Sequence, residues 1–201
     1  MKVVESSATT QPLHQPPLDV PRPYLRGVHH GVLDEVGSDP PRLEVFVDEG
    51  LEYMRSSQAV YGLIVLDLTD PGGPSRSLHT ADFYRHCAAR LKPGGLLSLQ
   101  VALPFSQPER VASTLTALTK AFSTVRPCMV SVALSGGQWM MASASHSLDP
   151  AELSVGQVDT VIRSRKLRHL QHHNGHTHQA AIALPNFVRD MVAPTSALWM
   201  S

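Results

Sequence analysis

"VLDLTDPGGPSRSLHTADFYRHCAARLKPGGLLSLQ" runs from Val65 to Gln100. An apolar, β-branched run that begins at Tyr61 ends at Asp67, and a second acid, Asp70, follows three residues on. A Gly/Pro loop comes next, then a helical stretch. Thr80 is placed to cap that helix, Asp82 falls in its first turn, and Phe83, Tyr84, Cys87 and Leu91 recur at helical spacing. Lys92-Pro93-Gly94-Gly95 stops the helix, and Leu96–Leu103 reads as the next strand. The unbroken apolar run Tyr61–Asp67 suits a central, parallel strand buried on both faces.

The same alternation extends outward. Leu43–Asp48 is β-branched and alternates apolar with polar residues, which predicts a strand. A short helix follows it, with Leu51 and Met54 on one side. A further helix is expected over Gln107–Phe122. Ser106 or Gln107 caps it, Pro108 sits near its first turn, and Val111, Leu115, Leu118 and Phe122 form the apolar stripe. Val125–Leu134 and Gln138–Ser145 read as an antiparallel pair, and Ser154–Leu167 as a helix before a His-rich turn. Tyr24–Leu33 reads as a short helix, whereas Met1–Pro21, rich in Ser, Thr, Gln and Pro, reads as a disordered arm. The fold class is therefore α/β: an open sheet with a C-terminal antiparallel hairpin, over residues 22–201.

Composition sets the bounds. The 201 residues are 42% hydrophobic, enough for one domain with a sizeable core. Seventeen basic and seventeen acidic residues balance. That balance gives no electrostatic footprint for nucleic acid or an anionic membrane. Cys87 and Cys128 form no CxxC pair, no apolar run reaches membrane-spanning length, and the start lacks the layout of a secretory signal. A cytoplasmic protein is the expectation.

In an open α/β sheet, ligands bind at the carboxyl ends of the strands. Two carboxylates there can hold a metal, act as an acid/base pair or bind a cationic substrate. Ordinary turn chemistry is the plain alternative, with Asp67 capping a turn and Asp70-Pro71 starting one. Of the eleven histidines, His169, His172, His173, His176 and His178 crowd one segment. No cysteine lies near them, and no metal site is expected. Cys87 lies on an apolar helix face and reads as a buried small hydrophobe. Core packing is the expected role of at least two of Trp139, Met140 and Met141.

The Val65–Gln100 stretch resembles the signature of the polyamine aminopropyltransferases, the spermidine and spermine synthases. That signature is an apolar strand, Asp-x-x-Asp-Pro, a Gly-Pro loop, a Phe-Tyr helix, Leu-Lys-Pro-Gly-Gly, a strand and a Gln. "PRLEVFVDEGLEYMR", "SGGQWMMASAS" and "HHNGHTHQAAIALPNFV" resemble flanking parts of the family, so the likeness covers about Tyr24 to Val192. It implies a Rossmann-like sheet of the class I methyltransferase type. It also implies transfer of an aminopropyl group from decarboxylated S-adenosylmethionine, a co-substrate rather than a cofactor, to a diamine such as putrescine. By the same resemblance Asp67 is the proton acceptor, Asp67, Asp70 and Gln100 are on the diamine side, and Glu49, Gly50 and Pro74 line the nucleoside pocket.

The departures are specific. Glu49 stands where the family usually has Asp, Leu134 where a tyrosine often contacts the diamine, and His172 and His173 replace an aromatic pair. The family's small β-domain, its strand ending in Gly-Gly-Gly-Asp-Gly and its strand ending in the ribose-holding acid are not found before Tyr24. The chain therefore reads as the C-terminal part of an aminopropyltransferase, truncated on the N-terminal side of its sheet. Unpaired strand edges predict a homo-oligomer or pairing with another chain. The alternative is a non-catalytic or split-enzyme paralogue that keeps the fold and associates with a complete homologue. A methyltransferase-like enzyme with another acceptor is disfavoured by the Asp-x-x-Asp-Pro pair.

Overall fold

The computed structural model describes residues 2–5, 44–47, 49–68, 74–132 and 137–192. The chain forms two units, Met1–Ser56 and Ser57–Ser201.

In the first unit, strand β1 (Lys2–Glu5) pairs in parallel with β2 (Glu44–Val47), Lys2 opposite Glu44 and Glu5 opposite Val47. Helix α1 (Gly50–Ser56) follows. Lys2–Glu5 thus departs from the disordered arm expected over residues 1–21. Val3 and Val4 are β-branched, and a parallel partner supplies the ladder that their local composition does not advertise. The expected helix Tyr24–Leu33 lies outside the described residues.

The second unit is built on a four-stranded sheet in the order β3-β4-β6-β5. Strand β3 (Tyr61–Leu66) runs parallel to β4 (Leu91–Ala102). Strands β5 (Thr124–Val132) and β6 (Gly137–Ser145) form the antiparallel hairpin, and β6 docks antiparallel on β4. The α/β open sheet expected from the sequence is therefore a mixed one.

Helix α2 (Ala81–Ala89) connects β3 to β4, preceded by a 3₁₀ turn at Pro74–His79. The Thr80 hydroxyl accepts from the Phe83 N–H at 3.2 Å, which satisfies one of the orphan donors of the first turn. Helix α3 (Pro108–Thr119) starts with Pro at its first position, but Gln107 makes no side-chain cap bond. Its missing N–H costs Pro108 nothing there.

Phe83, Tyr84 and Cys87 of α2, Val111, Leu115 and Leu118 of α3, and Phe122 are buried. On β4, burial alternates along Gly95, Leu97, Leu99 and Val101, and on β6 Met140, Ala142 and Ala144 repeat the period. Of the hairpin residues Trp139, Met140 and Met141, only Met140 is fully buried; the other two are half-covered.

Two sequence expectations need correction. Lys92–Gly95 does not end the helix, which closes at Ala89 with Arg90 as its cap; the segment already belongs to β4, which starts at Leu91. Gly94 adopts φ +74°, and a Cβ on Gly95 would lie 2.8 Å from the Lys92 carbonyl, so each glycine answers a backbone demand. More consequentially, β3 is the edge of its sheet rather than a central strand. Leu63 and Val65, two residues apart on β3, share one face of the sheet and are 55% and 62% exposed there; separately, among the described residues no strand flanks β3 on the side away from β4.

Helices α4 (Val155–Ser164), α5 (Gly175–Ile182) and α6 (Asn186–Val192) complete the unit. Ser154 closes a capping box with Gln157, and Asn174 one with Thr177. A second 3₁₀ turn, Pro150–Glu152, lies before α4. Asp149, at its start, forms a forked ion pair with Arg126 of β5 and also accepts from the Ala151 N–H at 2.9 Å. The Arg126 guanidinium holds the Asp149 carboxyl below the usual carboxylate range.

Asp149→Ala should cost about 1.5–3 kcal/mol at neutral pH, the worth of a hydrogen bond to a charged group. The folded-state pKa of Asp149 lies below its unfolded value, so this stabilisation is complete above the unfolded pKa and fades as pH falls through the folded one. Urea midpoints of wild type and variant should differ at pH 7, begin to approach each other below about pH 4 and converge only once the pH has passed the lower folded-state pKa. A gap that stays constant with pH would show that the pair contributes through packing alone.

Candidate functional site

The parallel pairing of β3 and β4 sets Leu66 opposite Leu99. The next residue on each chain path is Asp67 and Gln100, at the carboxyl edge where open α/β sheets hold ligands. The Asp67 side chain is exposed. Gln100 Nε2 donates to Asp67 Oδ1 at 3.0 Å and to the Leu68 carbonyl at 2.6 Å. These two expected site residues, 33 positions apart in sequence, are therefore brought together by sheet register.

The other expected positions stand differently. Asp70 and Leu134 lie outside the described residues. Pro74 opens the 3₁₀ turn Pro74–His79, which the buried Leu78 pins to the core. Glu49 and Gly50 belong to the first unit. Glu49 Oε2 accepts from the Glu52 N–H at 2.8 Å and its carbonyl accepts from the Tyr53 N–H at 2.9 Å, so Glu49 caps α1. Gly50 is buried as the first residue of that helix.

One strand was missed in the sequence. Glu5 is the last residue of β1, at the carboxyl end of a parallel strand pair. The signal was a Val-Val pair ending in an acid, and it was hidden by its brevity and by the Ser/Thr/Pro-rich stretch behind it.

The histidine segment carries other roles. His178 Nε2 lies 2.9 Å from the Pro150 carbonyl; a carbonyl only accepts, so Nε2 bears the proton. His173 meets the His178 ring edge-on at 5.7 Å between centroids. The Thr177 hydroxyl donates to the His172 carbonyl at 3.0 Å. Among the described residues, no three His, Cys, Asp or Glu side chains converge as a metal site would need. Cys87 is fully buried, and burial pushes its thiol up to about 12, which suits a packing residue rather than a nucleophile.

Cavity size does not single out the edge. A hollow of about 400 Å³ opens beside Lys92–Gly95 and Ser145–Ser147, at the opposite end of β4 from Gln100. Another, of about 520 Å³, lies along Ser106–Arg110 at the start of α3. The edge is distinguished by its chemistry: a solvent-facing carboxylate held by a neutral amide.

Residues 15–152 match the spermine/spermidine synthase domain. The chain belongs to that family. It is 39% identical over 176 residues to a polyamine aminopropyltransferase of Nitrosomonas europaea, covering 88% of this chain and 53% of the relative. A polyamine aminopropyltransferase of Hyperthermus butylicus is 34% identical over 180 residues, covering 89% and 57%. Among solved structures, a spermidine synthase in complex with the transition state analogue AdoDATO superposes with a TM-score of 0.71 at 29% identity, over 86% of this chain and 56% of that one. The spermidine synthase of Thermotoga maritima gives a TM-score of 0.70 at 28% identity, over 86% and 55%. The chain spans about half the length of the curated relatives it matches. No described helix is long and apolar enough to cross a membrane.

The chain purified without a histidine tag should carry no stoichiometric zinc or iron. Elemental analysis giving about one metal ion per chain would instead assign His172, His173 and His176 to a metal centre.

Proposed function

We propose that this chain carries the catalytic portion of a polyamine aminopropyltransferase. It transfers the aminopropyl group of decarboxylated S-adenosylmethionine to a diamine such as putrescine, giving spermidine and methylthioadenosine. The observation that carries this reading is the Asp67 carboxylate held by Gln100 at the carboxyl edge of β3 and β4, in a chain of this family.

The chemistry accounts for the residue types. An amine with a pKa near that of lysine, about 10.4, is mostly protonated at neutral pH and is no nucleophile until it loses a proton. Asp67 attracts the ammonium and accepts that proton. The freed lone pair attacks the aminopropyl carbon, the carbon–sulfur bond breaks, and its electron pair stays on sulfur. A sulfonium cation thereby becomes a neutral thioether, a leaving group that calls for no metal and no further cofactor. Asp70 binds the diamine together with Asp67, and Gln100 belongs to that side of the site. Glu49, Gly50 and Pro74 serve the nucleoside. The catalytic portion is residues 22–201. The two free cysteines fit a reducing, cytoplasmic setting.

One observation favours the second reading, a split or non-catalytic paralogue that works with another chain. Among the described residues β3 is an uncharged edge strand with Leu63 and Val65 exposed, and it lacks the charges or proline that usually protect such an edge. The second reading requires association of this kind, and turnover of the chain alone separates the two.

Asp67→Asn should lower methylthioadenosine release by about 10²–10⁴-fold, the usual range of a general base, and leave the thermal midpoint within a few degrees. Equal rates for both proteins would remove Asp67 from the mechanism. Light scattering should find the wild-type chain associated and the double variant Leu63→Glu, Val65→Lys monomeric. A wild-type monomer across the working concentrations would exclude association through β3.

A further inference from the structure

The geometry points to Gln100 as a positioning residue that acts on the diamine through Asp67 rather than by touching it. A glutamine placed on the substrate side is expected to offer its N–H bonds to solvent or ligand. Here one amide nitrogen, Nε2, serves two acceptors of the protein, Asp67 Oδ1 at 3.0 Å and the Leu68 carbonyl at 2.6 Å. A primary amide has two N–H bonds, so both are committed. The assignment of oxygen and nitrogen in that amide follows from its neighbours. A carboxylate and a carbonyl can only accept, and turning the amide over would set three acceptor oxygens against one another.

This arrangement does three things at once. It fixes the Asp67 carboxylate by one oxygen and leaves Oδ2, which has no hydrogen-bond partner among the described residues, as the proton acceptor. It ties the chain just past β3, at Leu68, to β4. It also supplies charge-assisted stabilisation to an exposed carboxylate without adding a positive charge that would repel a diammonium substrate. An arginine or lysine in this place would hold Asp67 more strongly and cancel the charge that attracts the amine. A glutamate would face two acceptors with none of the donors. Glutamine is the side chain of this length that donates twice and stays neutral.

The inference rests on the aminopropyl-transfer reading for its consequence, but not for its geometry, so two measurements separate them. The first is spectroscopic and needs no turnover. In nitrogen-15 spectra of the full chain, the Gln100 side-chain amide pair should sit away from the free-glutamine position and return toward it in Asp67→Ala. Gln100 signals at the free-glutamine position in wild type, unmoved by Asp67→Ala, would overturn the proposal. The second is kinetic, with putrescine and decarboxylated S-adenosylmethionine. Gln100→Leu should lower kcat by about 10–100-fold, the scale of a mispositioned reacting group, with KM for putrescine within about threefold of wild type. Gln100→Glu should lose at least as much. A raised KM for putrescine at unchanged kcat would mark Gln100 as a direct substrate contact and refute the positioning role. An inactive wild-type chain with the displaced amide pair would count against the functional reading and leave the positioning one standing.

Discussion

The parallel pairing of β3 with β4 is the constraint on which the candidate site depends. Parallel strands cannot be joined by a tight turn, so the chain must leave the carboxyl end of β3, cross the sheet and return to the amino end of β4. Everything between Leu66 and Leu91 follows from that requirement: a loop at the carboxyl edge, the Pro74–His79 turn, the Thr80 cap and α2 with its buried Phe83, Tyr84 and Cys87. The same register brings the ends of two strands level, Leu66 beside Leu99. A carboxylate one residue past the first strand and an amide one residue along the second then meet without any loop having to place them. A slip of one residue in that register would turn Gln100 to the other face of the sheet and leave Asp67 with no donor.

This explains how much was readable beforehand. The stretch Val65–Gln100 carries its own periodicity, cap and breaker, so strand, helix and strand were legible from residue spacing. The meeting of Asp67 and Gln100 was not carried by spacing, since Gln100 lies inside its strand; it follows from the register that sets Leu66 opposite Leu99. Nor did spacing carry lateral position. An unbroken apolar run such as Tyr61–Leu66 is compatible with a strand flanked on both sides and with one flanked on one side, because side-chain pattern reports faces and not neighbours. The exposure of Leu63 and Val65 belongs to one face of β3, whereas its place at the end of the strand order is a separate property that side chains do not report.

The converse failure is at Lys2–Glu5. Four residues are below the length at which alternation becomes a signal, and the polar stretch behind them dominated the compositional reading. Its strand character comes from β2, some forty residues later in sequence, with which it forms a parallel ladder. Glu49 shows a third kind of limit. Resemblance gave it a ligand-facing role, while the local hydrogen bonds show a residue already occupied as the cap of α1. Both roles are compatible for a carboxylate with two oxygens. A shorter aspartate would reach the same N–H groups, so the cap by itself does not explain why glutamate stands here.

The site is thus held by unequal supports. Gln100 belongs to β4, which has a strand on each side and buries alternate side chains. Asp67 follows β3, which has a described partner on one side only. Edge strands have more freedom to fray than strands paired on both sides, and a residue just beyond such a strand inherits that freedom. The amide of Gln100 crosses from the well-supported strand to the poorly supported one and makes its two bonds at the place where β3 ends. The order of the edge is therefore borrowed from β4. Any partner strand added along β3 would supply the same order from the other side, and the demand on Gln100 would fall accordingly. The state of the β3 edge and the precision with which Asp67 is held are, on this argument, one physical quantity seen at two positions.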